Sequence, residues 1–244
     1  EIDDQPSGLG WMPDGSMLVV GMTKKQVLRR AIDGSVVLHA DLSDLATYHC
    51  NDMVVDETGR AFVGNFGFNL DEAMATQSVE DVIANHQTAK LACISPSGTV
   101  RVAADDMHFP NGSVITPDGK TLIVGETVGF CLTAFDIGSD GSLSNRRVWA
   151  PTLPRIPDGI CLDSEGAVWF ANPMVGECVR IAEGGEVLEV VETGQLCFAC
   201  MLGGDDGKTL FMLTADSSDA HVASEKPTGR IVTCRVDAGR AGLP

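Results

Sequence analysis

The sequence predicts an all-β chain folded as a β-propeller, and three observations carry that prediction. First, five stretches share one layout: SGLGWMPDG from Ser7, NDMVVDETG from Asn51, NGSVITPDG from Asn111, DGICLDSEG from Asp158 and ACMLGGDDG from Ala199. Each ends in a polar turn closed by Gly, and each turn leads into a short apolar run, MLVV, AFVG, TLIV, AVWF and TLFM in order. Second, a further turn follows each of these, at Asp33-Gly34, Ser97-Gly98, Asp140-Gly141 and Gly184-Gly185, with Thr228-Gly229 a looser fifth. Third, the turn glycines at 15, 59, 119, 166 and 207 are spaced by 44, 60, 47 and 41 residues. That period suits four-stranded blades repeated around an axis, and a repeat of this kind decides the fold.

One unit reads strand, tight turn, strand, loop, strand, tight turn, strand. Gly at the turns supplies backbone angles that other residues resist. The segments between turns are short and rich in Val, Ile, Leu and Phe, which reads as strand. The exception is an insertion at 70–90, where DEAMATQSVEDVIANHQTAK has acidic residues early and no internal Gly or Pro. It predicts a helical insertion, which accounts for the long step of 60. A parallel α/β fold would need a helix between most strands, and a sandwich would not place five copies in one register. The whole chain, 1–244, is therefore one propeller domain.

Composition narrows the function. With 17 basic and 34 acidic residues the net charge is −17, which argues against a nucleic-acid partner. The acidic surface serves solubility, and part of it would favour a cation. No apolar run is long enough to cross a bilayer, so no membrane partner is expected. The opening EIDDQPSG lacks the basic and apolar pattern of a signal peptide. Most of the eight cysteines lie inside apolar runs and read as small buried hydrophobes. Cys197 and Cys200 form a CxxC pair without a second pair at zinc-site spacing. Reduced thiols fit a cytoplasmic location.

The residues eight places before the five turn glycines are Ser7, Asn51, Asn111, Asp158 and Ala199. The first strand of each blade lines the tunnel, so these positions would converge in a ring at one mouth. Asn51, Asn111 and Asp158 would present oxygens suited to one divalent metal ion, Ca or Mg, with Zn also able to accept them. Pro110-Asn111-Gly112 and Pro157-Asp158-Gly159 also read as ordinary turns; the shared register favours a site. Second strands return to the same mouth and end in Asn65, Glu126 and Asn172. Asn65 and Asn172 would bind hydroxyls of a small-molecule substrate or simply solvate hairpin ends. Glu126 reads as a supplementary ligand or a surface carboxylate. His49, two residues before Asn51, falls on the same side of a regular strand, facing substrate or capping the tunnel. No G-x-S-x-G elbow, P-loop, dinucleotide fingerprint or HExxH motif is present. His49 and Cys50 are strand neighbours and point apart, which leaves no thiol dyad.

Several of these segments also occur in a known order. They are Cys50-Asn51-Asp52 with Val55-Asp56-Glu57-Thr58-Gly59-Arg60, Pro110-Asn111-Gly112, Ser144-Asn145-Arg146-Arg147, and Pro157-Asp158-Gly159-Ile160-Cys161-Leu162-Asp163 with Val168-Trp169. On these the chain resembles the gluconolactonase/regucalcin family, also called the senescence-marker or luciferin-regenerating-enzyme-like family, from about Pro6 to Val236. The resemblance implies a six-bladed propeller, a catalytic divalent metal in the tunnel and lactonase activity. By motif, Asn111 and Asp158 would be metal ligands, Asp158 the general base, and Asn51 a neighbour of metal and substrate. The insertion would lie near the mouth.

Two departures stand out. The family's third ligand, a Glu in a Glu-Gly-Pro context of its first blade, has no counterpart here. The segment from Pro6 matches the family's second blade, which implies a missing first blade, through truncation rather than a five-blade form. His49 stands where some sugar-lactone members place Arg, which disfavours sugar acids. Competing readings are a non-catalytic propeller that binds metal or a small ligand, and a lyase, isomerase or cyclase using the same tunnel.

Overall fold

A computed structural model describes residues 2–243 and arranges five antiparallel sheets as a five-blade β-propeller. The first sheet holds β1 (Pro6–Trp11), β2 (Met17–Gly21), β3 (Gln26–Arg30) and β4 (Val36–Asp41). The second holds β5 (Cys50–Val55), β6 (Ala61–Asn65), β7 (Ala89–Ile94) and β8 (Val100–Met107), with α1 (Leu70–Thr76) and α2 (Val79–Asn85) inserted before β7. The third is β9 (Pro110–Ile115), β10 (Thr121–Glu126), β11 (Cys131–Ile137) and β12 (Leu143–Pro151). The fourth is β13 (Ile160–Leu162), β14 (Val168–Asn172), β15 (Glu177–Ile181) and β16 (Val187–Glu192). The fifth has three strands, β17 (Leu196–Gly203), β18 (Thr209–Ala215) and β19 (Arg230–Arg235), with α3 (Ala220–Glu225) between the last two.

The five apolar runs all form second strands, and the turns before them share one device. The turn Asp accepts a hydrogen bond from the backbone N–H two residues on: Asp14 from Ser16 (3.0 Å), Asp56 from Thr58 (2.9 Å), Asp118 from Lys120 (3.1 Å), Asp163 from Glu165 (2.9 Å) and Asp206 from Lys208 (3.0 Å). These side chains mimic a backbone turn and fix the hairpin. Asp163 also ion-pairs through Oδ2 with Arg180 at 2.6 Å, which satisfies a fully buried carboxylate.

Two expectations change. The single helical insertion is two short helices, because Ser78 starts a new one: its Oγ accepts from the Asp81 N–H (3.1 Å) and donates to the Asp81 carboxylate (2.8 Å). Thr228-Gly229 is not a second hairpin turn. It precedes β19, since α3, capped by Asp219 at the Val222 N–H (2.9 Å), lengthens the loop after β18.

Packing runs from sheet to sheet around the axis. Val20 with Val55, Phe62 with Leu122, Ile123 with Phe170, and Trp169 with Met212 belong to four apolar clusters that join consecutive sheets. Among the described residues no fifth cluster joins the last sheet to the first. Burial follows: every residue of β9, in the middle sheet, is buried, whereas β1 alternates and leaves Leu9 and Trp11 exposed. At the end opposite the ring, the segment after β19 crosses the floor. Ala241 donates to the Leu162 carbonyl (3.0 Å), and Leu243 exchanges backbone bonds with Ile115 (2.8 and 2.9 Å). Gly242 makes this approach feasible, since its φ is +67° and a Cβ there would lie 2.3 Å from the Ile115 oxygen.

Candidate functional site

The inner strands share an irregularity that builds the mouth. Pairing slips between Pro6 and Leu9, between Cys50 and Met53, and opposite Val124–Glu126, where β9 carries Asn111 and Gly112. A bulge turns side chains that regular alternation would separate. The residues after the five ring positions are Gly8, Asp52, Gly112, Gly159 and Cys200. Three are Gly because the next inner strand is too close: a Cβ on Gly112 would lie 2.5 Å from the Ile160 nitrogen. Asp52 and Cys200 carry side chains there, and Asp52 alone carries a charged one.

The ring positions are linked by hydrogen bonds. Ser7 Oγ donates to Asn51 Oδ1 (3.0 Å), Asn51 Nδ2 to Asn111 Oδ1 (2.8 Å), Asn111 Nδ2 to Thr127 Oγ1 (3.0 Å), and Thr127 Oγ1 to the Pro157 carbonyl (2.9 Å). Asn51 and Asn111 are buried; Asp52 and Asp158 are half-buried. Backbone bonds hold Asp158 itself: its N–H donates to the Ala171 carbonyl (3.0 Å), and its carbonyl accepts from Gly112 (3.2 Å). The structure thus brings Asn51, Asn111 and Asp158 together.

Electrostatics mark the same place. Burial, reinforced by the nearby Asp52 carboxylate, pushes Asp158 well above the ordinary carboxylate range, and hydrogen bonds from Asn111 and the Gly159 N–H pull it part of the way back. Burial pushes Asp52 up to about 6. Two desolvated carboxylates beside an amide oxygen are the donor chemistry of a hard divalent cation, which would relieve their repulsion. Among the described residues no three His, Cys, Asp or Glu side chains form a metal-holding group. The oxygen donors gathered at the mouth are the Asp52 and Asp158 carboxylates and the Asn51 and Asn111 amides.

The remaining candidates are placed differently. Asn65 donates to the Lys90 carbonyl (2.8 Å) and accepts from the Gly67 N–H (3.0 Å), while Asn172 donates to Glu177 (2.9 Å) and accepts from Met174 (3.3 Å). Both amides brace their own hairpins. Glu126 is not a surface carboxylate: it is 1% exposed, paired with Arg146 at 3.0 Å, and accepts from the His108 N–H (2.7 Å) and Thr133 Oγ1 (2.5 Å). Those partners fill its oxygens. His49 stacks on Tyr48 with ring centroids 4.1 Å apart. Sequence reasoning passed over Asp52 and Thr127. Asp52 had a legible signal, an acid in the column where three other blades have Gly; Thr127 had none.

Comparison with known proteins identifies the family and the fold. The family described as the SMP-30/Gluconolactonase/LRE-like region matches residues 3–216. Regucalcin of Oryctolagus cuniculus is 29% identical over 219 residues, 87% of this chain and 70% of the relative. A solved calcium-binding regucalcin from Agrobacterium tumefaciens superposes with a TM-score of 0.76 at 19% identity, covering 100% of this chain and 80% of the other. A luciferin-regenerating enzyme superposes at 0.77 with 17% identity, covering 99% and 82%. At these identities the two structures testify to a common fold.

Proposed function

The chain belongs to the SMP-30/Gluconolactonase/LRE-like family, and we propose that it is a metal-dependent lactonase that opens a small lactone at the mouth of its tunnel. The observation that supports this most is the hydrogen-bonded chain Ser7–Asn51–Asn111–Thr127, whose Asn111 amide also bonds the Asp158 carboxylate. Asn111 Oδ1 and the Asp158 carboxylate would hold a divalent cation, Ca, Zn or Mg. Bound there, the cation would supply Lewis acidity toward the lactone carbonyl and its attacking water. Asp158 accepts the proton of that water as it adds to the carbonyl carbon, then returns it to the ring oxygen as the acyl C–O bond breaks. Asn51 gives one amide hydrogen to Asn111 and has a second to offer a substrate oxygen. Asp52 adds negative charge that strengthens cation binding. Eight unpaired thiols fit a reducing, cytoplasmic setting.

The test is hydrolysis of a lactone panel by wild type, by Asp158→Asn, and by wild type after chelation. The expected result is a loss of at least about 100-fold for the variant and for the chelated protein, with recovery on adding back one of the three cations. Full activity in either would overturn the reading. The limited set of acidic donors favours a second reading, a propeller that binds cation without turnover. Calorimetric binding with no hydrolysis across the panel would establish that alternative.

A further inference from the structure

The aromatic residues of this chain are few and unevenly placed. It has one Tyr, three Trp and nine Phe in 244 residues. Yet four rings form a continuous strip on one side of the mouth: Tyr48 stacks on His49 (4.1 Å), His49 meets Phe66 edge-on (6.2 Å), and Phe66 packs on Phe109 (4.3 Å). The topology fixes their position. His49 and Phe109 each stand two residues before a ring position, Asn51 and Asn111, and the Phe66 N–H donates to the His49 carbonyl at 3.0 Å. Tyr48, His49 and Phe66 remain half-buried, so ring surface is open beside the oxygen donors. Phe109 adopts a φ of +57°, a conformation a bulky residue rarely takes and one that clusters at functional sites.

Two of the polar side chains near the mouth are committed elsewhere. The amides of Asn65 and Asn172 serve their own hairpins. On the same face the loop after β14 exposes Met174 and Val175, at 63% and 69%. Aromatic surface lies beside the two ring positions, Asn51 and Asn111, that His49 and Phe109 precede. Flat apolar rings stack on such surface and leave little polar area to satisfy.

We propose that the substrate is a lactone fused to or bearing an aromatic ring, held with that ring against the half-buried Tyr48, His49 and Phe66, which the buried Phe109 backs from within. The proposal rests on the lactonase reading for its chemistry, while the aromatic subsite stands as a binding site without it. The experiment uses the full chain with cation present. Turnover of dihydrocoumarin is compared with that of glucono-1,5-lactone, and binding of the lactam isostere of dihydrocoumarin with that of δ-valerolactam by calorimetry. The expected result is at least a tenfold preference for the aromatic member in both comparisons. Phe66→Ala is expected to weaken lactam binding about 3- to 10-fold, as loss of one ring contact, with Phe66→Leu intermediate. The wild-type comparisons hold the test even where a variant fails to fold. Preference for glucono-1,5-lactone with no discrimination between the lactams overturns the aromatic subsite and leaves the lactonase reading intact. Selective lactam binding without turnover of any lactone supports the subsite and removes the lactonase reading.

Discussion

Asp52 and Asp158 set the energetics of the mouth residue by residue. A carboxyl whose folded-state pKa is raised binds its proton more tightly in the folded protein than in the unfolded chain. Metal-free stability from such a group therefore falls as pH rises from about 4, the ordinary value, to about 6, the value for Asp52, and stays lower above. Other carboxylates, such as Asp206 beside Arg235, are held low and contribute in the opposite direction, so the difference between wild type and Asp52→Asn isolates the effect. In chelator, Asp52→Asn is expected to be more stable than wild type at pH 7 by on the order of 1–2 kcal/mol, a few degrees in Tm, with the gap closing near pH 4. Scanning calorimetry across that window checks it; a variant less stable at pH 7 would contradict it. The same residue marks the limit of sequence reading at this scale. The register of Asn51, Asn111 and Asp158 was legible because the turn glycines count from a fixed point. That Asp52 replaces the Gly of three other blades was legible too, but the direction of its side chain was not, because a bulge breaks the alternation from which strand faces are inferred. Asn65 and Asn172 looked like substrate contacts by position, but only coordinates reveal that each amide is engaged by its own loop.

Among the elements, turns were more legible than helices. A turn that needs positive φ at Gly announces itself, and the five Asp-capped hairpins did so. The helical insertion at 70–90 was visible by composition, yet its division depends on one capping side chain, Ser78. Helix α3 was missed, since six residues give too short a window for periodicity. The segment after β19 carried no signal at all, although it ties three sheets together across the floor. Its hinge is Gly242. Gly242→Ala would force a Cβ into the Ile115 oxygen at an unfavourable φ, and is expected to cost about 1–3 kcal/mol. Chemical denaturation should show a lower midpoint with an unchanged slope. A midpoint like that of wild type would mean that the floor segment contributes little.

For the whole molecule, the repeat specified the architecture, and the order of apolar clusters from first sheet to fifth realises it. The two ends of that series are apolar and uncovered: Leu9 and Trp11 on β1 are 44% and 59% exposed, and Leu213 and Ile231 on the fifth sheet 44% and 69%. Exposed apolar sheet faces and free strand edges promote association. Sedimentation velocity of this 244-residue chain is expected to show concentration-dependent self-association, reduced by Trp11→Glu with Ile231→Glu; a monomer at all concentrations would contradict this. On the reading proposed above, the five blades bring oxygen-bearing side chains from separate repeats to one cation. An anomalous-scattering map of crystals soaked in zinc or calcium tests it most directly. The expected result is a peak between Asn111 Oδ1 and the Asp158 carboxylate. A peak elsewhere, or none at saturating cation, would contradict it.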